Sequence, residues 1–284
     1  MALTFETCDV FTDRPFGGNP LAIVHDAGAL VDARMQAIAR EFNLSETVFV
    51  TRLDAARAEA AVRIFTPGAE LPFAGHPNVG AAARLAARLP GVDRLTLVNR
   101  AGPVVAAIRR NASGAVLGAD IPAPRPFAAS DEVAPAVVAA CAGLPEDAVV
   151  SGRHPPVLCG AGTGFVVAEV SGLGALAAAA PDAAAFRRLL PGPGLLLHVP
   201  AGDGRARVRM FHPSVGVAED PATGSAACAL VGLLLHLAPG AGALTLAIEQ
   251  GEEVGRPSRI AASAAREGEA IRVRVGGGVV PVSE

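Results

Sequence analysis

Ten residues in the last quarter of the chain, Ala226-Ala-Cys-Ala-Leu-Val-Gly-Leu-Leu-Leu235, are apolar or small on every face of the helix they predict. A helix with no polar stripe must be enclosed on all sides, so the rest of the chain has to build a layer around it. The candidates are short runs rich in Val and Ile that alternate with helical patterns, over residues 3–11, 21–24, 47–51, 60–65 and 95–98. They predict a mixed α/β class. The design also occurs twice. In the first half a strand over 60–65 leads through a turn to Gly75-His76-Pro77 and a helix reaching about Leu89. In the second a strand over 207–211 leads through a loop to Thr223-Gly224-Ser225 and a helix reaching about His236. This predicts an internal structural repeat. The Pro-rich stretch Ile121-Pro-Ala-Pro-Arg-Pro126 reads as irregular and marks a domain boundary, with an N-terminal domain over 1–120 and a C-terminal one over 127–269.

Between Leu30 and Phe42 the apolar residues Leu30, Met35, Ile38 and Phe42 recur at helical spacing, with Asp32 near the start. An amphipathic helix is predicted there, delivering the chain into Asn43-Leu44-Ser45-Glu46, so that Glu46 stands where a helix hands over to a strand. Residues 175–185 are alanine-rich and, with Phe186, Leu189 and Leu190, read as a plain surface helix. Residues 229–248 are the most membrane-like, but His236 and Pro239-Gly240 break them into a buried helix, a turn and a strand. Gly160-Ala-Gly-Thr-Gly164 lacks the dinucleotide-binding spacing and reads as a turn before a strand.

Composition excludes several functions. A net charge of −3 with no Trp or Tyr gives no footprint for nucleic acid. All 24 basic side chains are arginine, so no lysine exists to hold pyridoxal phosphate as a Schiff base. Cys8, Cys141, Cys159 and Cys228 form no Cys-x-x-Cys pair and read as buried free thiols. The acidic N-terminal residues do not resemble a signal peptide, and the expected location is cytoplasmic.

Both predicted helix starts, at Gly75-His76-Pro77 and Thr223-Gly224-Ser225, offer unpaired backbone N–H groups that can hold a carboxylate without a basic side chain. Pro77 suits the first helical position, and Gly75 and Gly224 let a ligand approach the backbone. The same segments also suit two ordinary capped helices. Ionisable groups cluster beside these turns: Glu46, His76 and Asp220. Burial raises a carboxyl toward the working range of a general acid/base, and a nearby imidazole can relay its proton. The same carboxylates could instead cap helices, and the histidine could be structural. A hydrolase using Ser45 or Ser225 with His76 and Asp220 would lack the Gly-x-Ser-x-Gly elbow.

Five segments together resemble the motifs of the PhzF-like (phenazine biosynthesis) family. They are Asp9-Val-Phe-Thr-Asp-Arg-Pro-Phe-Gly-Gly-Asn-Pro-Leu-Ala-Ile-Val24, Glu41-Phe-Asn-Leu-Ser-Glu-Thr-Val-Phe-Val50, Arg63-Ile-Phe-Thr-Pro-Gly-Ala-Glu-Leu-Pro-Phe-Ala-Gly-His-Pro77, Glu219-Asp-Pro-Ala-Thr-Gly-Ser-Ala226, and Gln250-Gly251 with Gly255-Arg-Pro-Ser258. They run in family order over nearly the whole chain. The resemblance implies a diaminopimelate epimerase-like fold of two similar domains, each a β-barrel-like sheet around a central helix, with the site in the cleft between them. The C-terminal strand, about 270–284, would complete the N-terminal domain. It also implies an isomerase that shifts a proton on a small carboxylate-containing metabolite, with no metal or organic cofactor, in a homodimer. Glu46 would be the principal acid/base, joined by His76 and Asp220, while Asn19, Ser45, Gly75, Pro77, Gly224 and Ser225 would bind substrate. Related epimerases and proline racemases resemble one another in using two cysteines at the helix starts. Here Gly75 and Asp220 stand there, which points to a one-sided proton shift, and Asn78 stands where Thr is common. The alternative on the same fold is a non-catalytic dimeric small-molecule-binding protein.

Overall fold

The computed structural model describes residues 3–283. The chain divides into two compact units, one running to Pro124 and resuming at Gly276, the other comprising Arg125–Val275. The first holds β1 (Phe5–Val10), β2 (Asn19–Val24), α1 (Asp32–Phe42), β3 (Glu46–Asp54), β4 (Glu59–Phe65), β5 (Glu70–Leu71), α2 (Gly75–Ala87), β6 (Arg94–Asn99), β7 (Gly102–Arg110) and β8 (Val116–Pro122). The second holds β9 (Ala128–Glu132), α3 (Pro135–Ala142), β10 (Val149–Val150), β11 (Val157–Gly160), β12 (Gly164–Val170), α4 (Leu173–Ala178), α5 (Ala183–Leu189), β13 (Gly194–Pro200), β14 (Arg205–His212), β15 (Val217–Asp220), α6 (Gly224–His236), β16 (Ala243–Gln250) and β17 (Ser258–Glu267). The last strand, β18 (Ala270–Ser283), starts in the second unit and ends in the first.

In the first unit eight strands close into a barrel. β1 pairs antiparallel with β2, β2 parallel with β3, β3 antiparallel with β4 and β4 parallel with β6. β6, β7 and β8 follow antiparallel, β8 pairs with β18, and β18 returns antiparallel to β1. Parallel neighbours need a crossover, and the two crossovers here carry α1 and α2. α1 packs its Met35 and Ala39 against Val24, Ala27, Phe49 and Phe65, and it stops at Asn43, whose left-handed backbone (φ 52°) suits an asparagine. α2 lies inside the ring, against β1, β2, β3, β6, β7 and β8. An eight-strand barrel leaves little interior width, so the enclosed helix is built of small residues, Val79-Gly80-Ala81-Ala82-Ala83, all buried. A Cβ on Gly80 would come within 2.5 Å of Leu21 Cδ2 and 2.8 Å of Val10 Cγ2.

The second unit repeats the order. β12 runs parallel to β13, β13 antiparallel to β14, β14 parallel to β16 and β16 antiparallel to β17. α4 and α5 occupy the first crossover and α6 the second. α6 is buried from Ala226 to Leu233 and again at Leu235, packed on β11, β12, β16 and β17, so the helix with no polar face is enclosed. The repeat extends to the helix ends. Arg110 of β7 donates to the carbonyls of Ala86, Leu89 and Val92 at the end of α2. Arg266 of β17 donates likewise to Leu235, Ala238 and Ala241 at the end of α6. Each arginine adds a side-chain donor to carbonyls at and just beyond the C-terminus of its helix.

Several sequence expectations are corrected. Residues 175–185 do not form one surface helix: Pro181 divides them, Asp182 starts α5 by accepting from the N–H groups of Ala184 and Ala185, and Leu176, Ala185 and Phe186 are buried in the core. Regular structure continues to Pro122 in β8, so Ile121-Pro122 is not irregular. The amphipathic helix begins at Asp32, leaving Leu30 in the preceding turn. Residues 229–248 do resolve into helix, turn and strand, and among the described residues no helix is long and apolar enough to cross a membrane. Gly160 faces Gly164 across the tight turn joining β11 to β12.

Candidate functional site

In the first unit six sequence-predicted residues, Asn19, Ser45, Glu46, Gly75, His76 and Pro77, lie at the starts of β2, β3 and α2. Glu46 is the first residue of β3, placed there because Asn43 ends α1 and Ser45 only bridges to the strand. β3 lies parallel to β2 with Leu21 opposite Glu46, so Asn19 and Pro20 at the start of β2 stand beside it. His76, the second residue of α2, directs Nδ1 toward Glu46 Oε2 at 3.5 Å, longer than a close hydrogen bond. His76 is 5 % exposed, and burial pushes its pKa down to about 3 against the opposing effect of a hydrogen bond to the Pro20 carbonyl. Its imidazole is therefore neutral over the physiological range. Its Nε2 is buried with no hydrogen-bond partner, so it can meet a polar substrate atom.

The helix start has the same open character. Ala74, the residue capping α2, has no side-chain oxygen, and no side chain caps the first turn. The ordinary capped-helix reading therefore fails for α2. Pro77 is the third helical residue rather than the first, a correction to its expected place, yet it still falls among the four N–H positions that an α-helix leaves unsatisfied. Asn78 donates its amide to the Ala74 carbonyl at 2.8 Å and so braces the turn from inside the helix, while its Oδ1 is buried without a partner.

The remaining predicted residues, Asp220, Gly224 and Ser225, lie in the second unit. Asp220 ends β15, 8 % exposed, and accepts a 2.6 Å hydrogen bond from the Thr223 hydroxyl. Thr223 precedes α6 and spends its side chain on Asp220, so no side chain caps this helix either. Gln250, at the end of β16 and buried, completes the arrangement. It accepts from the Thr223 N–H at 3.1 Å and donates to the Asp220 carbonyl at 2.7 Å. Gly251 (φ 83°) follows it, and a side chain there would strike the carbonyls of Pro221 and Arg256. Sequence reasoning reads Thr223 only as part of the second helix start and assigns Gln250 no site role. The signal for them was present in Ala222-Thr-Gly-Ser and Gln250-Gly, whose joint role depends on a pairing between distant segments.

Neither helix start carries a thiol. All four cysteines are free and buried; Cys228 lies inside α6, and burial pushes its thiol, like that of Cys159, up to about 12. Thiolate bases are therefore scarce at neutral pH. What the first unit offers instead is a carboxyl, a neutral imidazole and open backbone donors.

Comparison with known proteins places the chain among its relatives. The profile of the family described as phenazine biosynthesis-like protein matches residues 8–284. An uncharacterized isomerase of Mesorhizobium japonicum is 39 % identical, covering 97 % of this chain and 95 % of its own. The trans-2,3-dihydro-3-hydroxyanthranilate isomerase of Pseudomonas aeruginosa is 40 % identical over 93 % of this chain and 91 % of its own. The crystal structure of a PhzF family protein from Bacillus anthracis superposes with a TM-score of 0.88 at 25 % identity, covering 100 % and 98 % of the two chains. With one strand order built twice around an enclosed helix and its Glu46–His76 pair at an uncapped helix start, the chain belongs to the phenazine biosynthesis-like (PhzF) family and is an isomerase.

Proposed function

We propose that the protein catalyses a cofactor-independent proton shift on a small carboxylate-containing metabolite, with Glu46 as the acid/base. The observation that carries this is the Glu46 carboxyl 3.5 Å from a buried, neutral His76 at the open start of α2. Glu46 removes a proton from a carbon acid, exchanges it with solvent and returns one at another position, while the first-turn N–H groups of α2 hold the substrate carboxylate. His76 positions the Glu46 carboxyl through Nδ1 and meets the substrate through Nε2. Asp220, held by Thr223 and Gln250, serves as the second acidic group. With Glu46 carrying the proton and no thiol at either helix start, the arrangement favours isomerisation over racemisation.

Turnover in heavy water tests the reading, starting with trans-2,3-dihydro-3-hydroxyanthranilate, the substrate in the name of the Pseudomonas aeruginosa relative, and extending to other cyclic carboxylates. Product should carry solvent deuterium at the carbon that receives the proton. Glu46→Gln keeps size and hydrogen bonding but cannot accept the proton, so kcat should fall by about two to four orders of magnitude. Near-normal activity in that variant would place the chemistry elsewhere.

A further inference from the structure

The second unit gathers metal-binding side chains that the reaction above does not use. Glu169 on β12 and His198 on β13 face each other across the parallel pair. His154, in the segment before β11, lies over them, and one ligand atom from each of the three residues lies within 4.8 Å of the others. The two imidazoles are almost fully buried, His154 at 3 % and His198 at 1 % exposure, with their Nε2 atoms 3.0 Å apart. His154 Nδ1 is 2.7 Å from the Pro155 carbonyl, which can only accept. The ring proton therefore sits on Nδ1, and Nε2 presents a lone pair, the tautomer of a metal-ligating histidine. Glu169 Oε2 is buried without a hydrogen-bond partner, and its neighbouring cation, Arg153, stands 3.7 Å away on a half-exposed side chain. Two imidazole nitrogens on a tetrahedral zinc lie about 3.3 Å apart, so these two need to separate only slightly.

We propose that His154, Glu169 and His198 bind one zinc-like divalent ion, with water as the fourth ligand, clipping the segment before β11 to the β12–β13 pair. Two histidines and a carboxylate are a zinc ligand set, and the acceptor behind His154 is the outer support such sites use. The competing arrangement is a bare N–H···N hydrogen bond between the rings, which requires the proton on His198 Nε2 and leaves Glu169 paired only with Arg153.

The test uses the full chain freed of metal by chelator, titrated with Zn²⁺ by calorimetry and with Co²⁺ by visible absorption. The expected results are one ion per chain, the intense bands of four-coordinate cobalt with nitrogen ligands, and a higher melting temperature in zinc. His154→Gln and Glu169→Gln should each weaken Zn²⁺ binding by at least about tenfold, since loss of an outer-shell partner alone costs that much. Absence of uptake, weak six-coordinate cobalt bands, or affinity unchanged in both variants would overturn the proposal. Because the cobalt spectrum is read on the unaltered chain, it decides the question even where a variant folds poorly.

Discussion

At the scale of single residues, burial decides protonation. His76 titrates near 3 in the fold and near its ordinary 6.5 when unfolded. Between these values the unfolded chain binds the extra proton, so this residue's effect on stability is absent above about pH 6.5 and becomes a growing penalty as pH falls toward 3. His76→Gln cannot titrate there, so its melting temperature should fall less than the wild type's between pH 7 and pH 5. Equal losses in both proteins, measured by circular dichroism, would show that His76 is not held neutral by the fold.

At the scale of elements, the central helices depend on what the surrounding strands leave room for. Gly80→Ala adds a methyl against Leu21 and Val10 inside a closed ring, and overpacking of this kind costs about 1–3 kcal/mol even though alanine favours a helix by about 1. Urea unfolding should report a lower midpoint with an unchanged slope. α2 is also tied to β1 by charge. Glu6 is 1 % exposed and accepts from His25 at 2.8 Å, Arg84 at 2.5 Å and Arg88 at 3.1 Å. Burial alone would raise its pKa, but the hydrogen bonds from His25 and Arg84 and the charges of Arg84 and Arg88 outweigh it and hold the group at about 2. The pair's stabilisation is thus complete above the ordinary 4.5 and lost as pH falls toward 2. Glu6→Gln removes the charge facing two arginines and should cost toward the low end of about 3–5 kcal/mol, because Arg88 is half exposed and can rehydrate. A difference in unfolding free energy that does not shrink below pH 4 would contradict this account.

At the scale of the whole molecule, β18 closes the first unit's barrel from the far end of the sequence. Gly276 onward supplies the strand between β8 and β1, and Phe11 donates its backbone N–H to the Gly278 carbonyl at 2.7 Å. A chain ending at Val275 would leave β1 and β8 as open edges and expose one side of α2. Hydrogen exchange on that truncated chain should find protection lost throughout β1–β8 and retained in α6, β16 and β17. Retained protection of α2 would mean that the ring does not need its last strand.

Much of the design is local and therefore legible in the residues themselves. The unbroken apolar face of α6, the helical spacing from Met35 to Phe42 and the recurrence of strand, turn and helix follow from side-chain periodicity, which requires only neighbours along the chain. The Glu46 and His76 positions were legible through their motifs and through the handover from helix to strand. Other features required distant segments to meet. The division at Pro181 and the burial of Phe186 depend on a core to which α3, β12 and β13 contribute, because alanine-rich sequence is equally compatible with solvent or packing. Thr223 and Gln250 became partners of Asp220 only when β16 came alongside β14. The His154–Glu169–His198 cluster likewise exists because a parallel pairing sets residues 169 and 198 side by side, and sequence periodicity carries no record of which strand lies next to which.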